Sequence, residues 1–263
     1  MSARQVTSLT NPLVKAARAL HMRKARAETG LFLAEGLKLV AEAVALGQAP
    51  MTLLFAAEAA ALPAFRPVAD ATRRAGGDVV EVSPAVLAKV SRRENPQAVV
   101  ATFAQSRPSL AALDPGAAPA WVALEGVRDP GNLGTIVRTV DAAGAGGVIL
   151  IGETCDPYSV EAVRATMGSI FAVPIYRATA EAFVAWRGAW PGSVVGTLLS
   201  ATTDYREAAY RPPSLVLMGP EQAGLSPELA ALCDVTVKIP MRGRADSLNL
   251  AVATGVMLYA AIG

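Results

Sequence analysis

Residues 214–226 read SLVLMGPEQAGLS, an apolar strand, Ser214–Met218, followed at once by the glycine-bounded loop Gly219–Ser226. An apolar run without alternation marks a strand buried on both faces, and in a chain that alternates strands with helices this means a parallel sheet. Ligands of open parallel sheets lie outside the carboxyl ends of the strands, where this loop falls. Its G-x-x-x-x-G spacing followed by Leu-Ser approaches a phosphate-binding P-loop. Leu225, however, stands where the lysine is needed, and Glu221 repels phosphate. Both features argue against a nucleoside triphosphatase. The glycines instead suit a backbone that approaches a flat or weakly charged ligand closely.

Outward from this stretch the same pattern repeats. Strands are expected at Trp121–Leu124, Val148–Ile151, Ala172–Tyr176, Ser193–Leu198 and Val235–Ile239, with helices at Leu133–Ala143, at Ser159–Met167 and from about Leu248. The carboxyl-terminal part, residues 119–263, therefore reads as an α/β domain with a largely parallel sheet. The amino-terminal part, residues 1–106, has short strands at Thr52–Phe55, Val79–Val82 and Ala98–Phe103 among helices, the pattern of a smaller α/β domain. Between them residues 107–118 are rich in Pro, Ala and Gly and read as a linker. A fragment starting near Arg107 is then expected to fold alone.

Composition narrows the function. Of 263 residues 52% are hydrophobic and 17% charged, which excludes disorder and coiled coil. The net charge is only +2, but Arg4, Lys15, Arg18, Arg23, Lys24 and Arg26 precede any acid, and the remaining chain is net negative. Such a segment suits a polyanion, with Lys15, Arg18, Arg23, Lys24 and Arg26 as candidate RNA contacts. A solvated helix face reads equally well from charge alone. The cysteines, Cys155 and Cys233, lack ligand-like spacing, so no metal site is expected. With no secretory signal and no membrane-length apolar run, the chain reads as cytoplasmic. No G-x-S-x-G elbow or G-x-G-x-x-G fingerprint is present.

Two further loops share the polar, glycine-rich character of the first. EGVRDPGNLGTIVR, residues 125–138, holds Asn132 in its turn, and Arg138 six residues on is read as facing the loop. Asn132 as a helix cap and Arg138 as a solvated side chain is the plainer alternative. IPMRGRADSLN, residues 239–249, leads into a terminal helix that is apolar nearly all round and must be buried in the domain or an interface. Ser247 or Asp246 is expected to cap it, and Ser247 and Asn249 serve either a ligand or the cap. Asn, Arg, Glu, Ser and backbone are the chemistry available, which points to group transfer by positioning.

DPGNLGTIVRTVDAAG, LVLMGPEQAGLS and VKIPMRGRADSLNLAVATG, in that order, resemble the three motifs of the SpoU (TrmH) family of S-adenosylmethionine-dependent RNA 2′-O-ribose methyltransferases. RATMGSIFAVP at residues 164–174 is similar to the same family. NPLVK, RKAR and FLAEG, with ENPQAVVATF at residues 94–103, resemble the ribosomal-protein-like substrate-binding domain of many members. The resemblance implies a carboxyl-terminal SPOUT domain with a deep trefoil knot, S-adenosyl-L-methionine as cofactor, and a homodimer with the apolar helix near its interface. It places Asn132 and Arg138 at the ribose, with Glu221, Ser247 and Asn249 completing the catalytic pocket. Cofactor contacts would come from Thr197, Leu198, Gly219, Ile239, Met241, Ser247 and Leu248. Gln222 departs from a glycine common in relatives. Ribosomal RNA is the preferred substrate over transfer RNA. A non-catalytic RNA-binding protein and a base methyltransferase are the rivals, and the Asn132–Arg138 pair favours ribose chemistry.

Overall fold

Two sheets organise the chain in the computed structural model, which describes residues 4–263; the first three residues of the expected 1–106 domain lie outside the described residues. Unit 1 runs to Gln105 and takes in Tyr158–Phe171, whereas unit 2 comprises Ser106–Pro157 and Ala172–Gly263.

Unit 1 begins with β1 (Arg4–Val6), α1 (Pro12–Ala19), α2 (Arg23–Thr29), β2 (Leu31–Glu35) and α3 (Leu37–Ala45). It continues through β3 (Thr52–Phe55), α4 (Phe65–Arg74), β4 (Asp78–Val82), α5 (Pro84–Ser91) and β5 (Val99–Ala104). The five strands lie in the order β1-β4-β3-β5-β2, parallel from β1 to β3 and antiparallel from β3 to β2. Both α1 and α5 start with a proline in the first turn behind a side-chain cap, Asn11 and Ser83. That combination satisfies an orphan N–H and presets the backbone. His21 Nε2 lies 2.7 Å from the Val90 carbonyl oxygen, and burial lowers its pKa from 6.5.

Unit 2 opens with β6 (Ala120–Glu125), α6 (Pro130–Ala142) and β7 (Val148–Ile151). The chain then passes to unit 1 with α7 (Val160–Ala165) and comes back with β8 (Ile175–Ala178), α8 (Ala180–Arg187), β9 (Val194–Thr197) and β10 (Thr203–Asp204). It ends with β11 (Ser214–Met218), α9 (Pro227–Ala230), β12 (Val235–Lys238) and α10 (Leu250–Ile262). The seven strands run β10-β12-β9-β11-β6-β7-β8, and every pair is parallel. All residues of β7 and β11 are buried, as expected of strands covered on both faces. Gly146, just before β7, lies against Trp121; a Cβ there would come within 2.3 Å of its ring.

Three expectations change. Residues 119–263 do not form one continuous domain, because Tyr158–Phe171 packs with unit 1. There Phe32 meets the rings of Tyr158 and Phe171 at 4.9 and 5.7 Å, and Arg164 Nη2 donates to both carboxylate oxygens of Glu35 at 2.7 Å. Residues 107–118 are not a free linker: they carry two short 3-10 turns, Leu113 is buried in the unit 2 core, and Trp121 Nε1 donates to the Pro115 carbonyl. The terminal helix starts at Leu250 and is capped by Asn249, whose Oδ1 accepts from Ala251 and Val252; Ser247 Oγ instead donates to Asp246. Val252 and Tyr259, 54% and 57% exposed, mark the side of the helix that the single chain leaves uncovered, so burial within the domain accounts for only part of its apolar surface.

Candidate functional site

The carboxyl ends of β9, β11 and β12 lie side by side in the sheet, so the loops that follow them converge. Together with the start of α10 they enclose a cavity of about 250 Å³. Thr197, Leu198, Gly219, Ile239, Met241, Ser247 and Leu248 all line it. Gly219 is there because nothing larger fits. A Cβ on it would lie 2.1 Å from the Gly224 carbonyl carbon, so the loop folds backbone on backbone. The Thr197 hydroxyl is buried without a hydrogen-bond partner. A buried hydroxyl left unsatisfied is costly unless a ligand meets it. Small apolar walls, exposed loop backbone and one orphaned hydroxyl fit an adenosine-like ligand.

Beside this cavity the three loops meet through side chains. Asn132 Nδ2 donates to Glu221 Oε1 at 2.8 Å, and Asn249 Nδ2 donates to Asn132 Oδ1 at 2.9 Å and to Glu221 Oε1 at 3.3 Å. The Leu250 backbone N–H also donates to Glu221 Oε1, at 3.1 Å. One carboxylate oxygen therefore takes three N–H groups and joins motifs separated by 89 and 28 residues. Asn132 is not the cap of α6. That role belongs to Asp129, whose Oδ1 accepts from the Asn132 N–H at 2.6 Å, which leaves the Asn132 amide free for Glu221. Glu125, at the end of β6, accepts from the Ser226 N–H at 2.8 Å and fixes the far side of the loop after β11.

Arg138 does not join this cluster. It is exposed on α6, and six residues of helix carry it about 9 Å along the axis and roughly 120° around from Asn132. Of the basic residues, Lys15, Arg23 and Lys24 are exposed and Arg18 is partly so. Arg26 is the exception. It is 4% exposed, and its Nη1 donates to the Leu20 carbonyl at 2.7 Å, so it holds α1 to α2 and is withdrawn from any RNA surface. Lys24 lies 3.9 Å from Glu28, both well exposed. Burial pushes the Cys155 and Cys233 thiols up to about 11, which leaves neither a ready nucleophile. Among the described residues no group of His, Cys, Asp and Glu is placed to hold a metal, and no helix is long and apolar enough to cross a membrane.

A second cavity, about 650 Å³, adjoins the first and shares Pro220, Glu221, Gln222, Ala223 and Leu250 with it. Arg128 and Glu153, which follow β6 and β7, line it. The sequence reading passed over both. Their signal is position, one to three residues beyond the carboxyl end of a buried strand.

A parallel seven-stranded sheet whose strand-end loops build a cofactor-sized pocket beside a polar cluster defines the class of α/β group-transfer proteins. The chain belongs to the SpoU rRNA Methylase family, which matches residues 119–259, and residues 11–101 match the MRM3-like substrate binding domain. It is 52% identical, at a TM-score of 0.92, to an AdoMet-bound rRNA methyltransferase from Sinorhizobium meliloti, over 98% of this chain and 97% of that one. It is 31% identical to the 23S rRNA (guanosine(2553)-2′-O)-methyltransferase RlmP of Bacillus subtilis, covering 97% of this chain and 98% of the relative. It is 32% identical to the 23S rRNA (uridine(2479)-2′-O)-methyltransferase of Streptomyces viridochromogenes, covering 99% and 92%.

Proposed function

We propose that this chain transfers a methyl group from S-adenosyl-L-methionine to a ribose 2′-hydroxyl of ribosomal RNA, without a metal and in the cytoplasm. The observation that carries this reading is the position of Glu221: it lines the 250 Å³ cavity and binds Asn132 and Asn249 at its edge. The cofactor supplies an electrophilic methyl group on a sulfonium. The protein has to present the 2′-oxygen in line with it, and holding two reactants in such a geometry accounts for much of a rate. Asn132, Glu221 and Asn249 are pre-organised for that task, because each is already fixed by the other two. Thr197, Leu198, Gly219, Ile239, Met241, Ser247 and Leu248 hold the cofactor, and the loops they occupy form the trefoil knot.

Arg138 stabilises charge on the oxygen and orients the flanking phosphate; a guanidinium is a donor only and has no lone pair with which to act as the base. It does so from a second copy. The α6–α10 face forms an open apolar groove lined by Thr135, Thr139, Val252, Val256 and Tyr259, and the exposed Arg138 directly precedes Thr139 on α6. We infer a homodimer through this face, which covers the exposed side of α10 and carries each Arg138 towards the other copy's cluster. The amino-terminal unit, with Tyr158–Phe171 folded into it, serves as the substrate-binding part, with Lys15, Arg18, Arg23 and Lys24 contacting RNA phosphates, and unit 2 carries the chemistry.

Two measurements test the reading. Calorimetry with protein free of copurified ligand should show S-adenosylmethionine binding without metal or nucleotide; a folded dimer that binds none refutes the pocket assignment. Ribose-methylation mapping of RNA from cells with and without the gene should reveal one ribosomal site. Methylation confined to transfer RNA, or to a base, would correct the substrate.

A further inference from the structure

We propose that the 650 Å³ cavity beside the cofactor pocket receives the base of the target nucleotide and that Arg128 and Glu153 select guanine. This rests on the methyl-transfer reading above and adds the identity of the nucleotide, which family membership leaves open.

The two cavities share a wall made by Pro220–Ala223 and Leu250, and Glu221 belongs to both. A nucleotide whose ribose lies against the Asn132–Glu221–Asn249 cluster has its base beside that wall, and the adjoining cavity is large enough to take it. Most polar groups lining this cavity are already spent. Glu125 accepts from Ser226, Asp129 caps α6, and Asn132 and Glu221 bind each other. Arg128 and Glu153 are different: neither makes a hydrogen bond or ion pair among the described residues, and they do not pair with one another. Two unlike charges that line one cavity and leave each other alone present a carboxylate acceptor and a guanidinium fork to whatever enters.

Guanine matches that pair. Its N1–H and 2-amino group are adjacent donors, which a carboxylate accepts side by side, and its O6 and N7 are the acceptors an arginine grips with two N–H groups. The other bases fit less well. Adenine and cytosine put a ring lone pair beside their amino group, where a carboxylate is repelled, and uracil flanks its single N3–H with two carbonyl oxygens.

The test uses the full-length protein, methyl-tritiated S-adenosylmethionine, and both total RNA and ribosomal subunits from cells lacking the gene, followed by digestion to nucleosides. The label is expected in 2′-O-methylguanosine. Label in another 2′-O-methylnucleoside overturns the base assignment and leaves the methyl-transfer reading standing, whereas no labelled 2′-O-methylnucleoside from either preparation overturns that reading itself. With the site located, a short RNA carrying inosine there lacks only the 2-amino group and should lose about tenfold in kcat/KM. Glu153→Ala should erase this preference for guanosine over inosine. Arg128→Ala should lower both substrates alike, since both carry O6 and N7. Cofactor affinity and melting temperature should not move in either variant, because both side chains are exposed. A Glu153→Ala protein that still discriminates overturns the assignment.

Discussion

Asn249 serves two masters, and one pair of substitutions separates them. Its Oδ1 caps α10 by accepting from Ala251 and Val252 at 2.9 and 3.3 Å, while its Nδ2 donates to Asn132 and Glu221. Asn249→Ala removes both. Loss of the cap costs about 1 kcal/mol, within a range of roughly 0.5–2. The exposed amide bonds add about 0.5–1 kcal/mol more, since Asn132 and Glu221 are free to turn to water. A total of about 1.5–2 kcal/mol corresponds to a fall in melting temperature of roughly 3–8 °C for a chain of this size. Asn249→Ser keeps an oxygen of equal capping quality but is too short to hold Asn132 and Glu221, so the melting temperature should fall by no more than about 2 °C. Methyl transfer, assayed 15–20 °C below either transition (roughly the plateau where both remain folded), should drop at least about tenfold in both variants. Scanning calorimetry and single-turnover methylation supply the two readings. If Asn249→Ser kept near-wild-type turnover, Asn249 would be a helix cap and nothing more, and the cluster would lose its catalytic role.

Arg138→Ala should abolish methyl transfer and spare calorimetric cofactor affinity, and co-expression with Asn132→Ala should restore about a quarter of the activity if the arginine works in the second copy. No restoration in a verified heterodimer would place Arg138 in its own chain's site. Gly219→Ala should weaken cofactor binding at least about tenfold, because its Cβ strikes the backbone of Gly224 and Leu225 and opens the loop before any ligand arrives. Changing Lys15, Arg18, Arg23 and Lys24 together to Ser should reduce the slope of log affinity against log salt by about 3. Arg26→Ser alone should leave that slope unchanged and lower stability instead, as its guanidinium is buried on the Leu20 carbonyl. His21 has a lowered pKa, so the folded protein resists a proton that the unfolded chain accepts. Its stabilising share is complete above pH 6.5 and declines as the pH falls towards the folded value. The fall in melting temperature between pH 7 and 5.5 should therefore be smaller in His21→Gln; an identical profile would remove His21 from the account.

Elements held by local pattern were legible. β3, β7 and β11 are apolar runs between turn residues and fall at or within a residue of their expected bounds. Ser83 and the proline after it announce α5. What was not legible is what another part of the chain decides. Arg4–Val6 has no apolar pattern and becomes a strand only because β4 pairs with it. Ala172–Tyr176 was expected as a strand, but the strand is Ile175–Ala178, since β7 fixes the register through Val148 and Ile175. Charge pattern identified the basic segment but not the direction of each side chain, so Arg26 was placed with its neighbours. For Arg138 the helical arithmetic was available: six residues do not return to the same face. The site was legible as three loops. Its wiring, with Glu221 as the common acceptor, depends on side-chain distances that spacing does not contain.

The return of Tyr158–Phe171 to unit 1 sets a timetable for synthesis. Phe32 and Phe103 are translated early, but the rings that cover them, Tyr158 and Phe171, come after β6, α6 and β7 have already been made. At about 5–20 residues per second, the interval from Gln105 to Phe171 lasts on the order of three to thirteen seconds. During it the nascent chain holds one five-stranded sheet whose aromatic side chains are uncovered and the first two strands of another. Unit 1 cannot be completed before unit 2 has been started, so a ribosome that stalls between residues 110 and 155 should present chaperones with both at once. A fragment 107–263 made on its own carries the matching liability, since Tyr158 and Phe171 then have no rings to meet and should make it prone to aggregate.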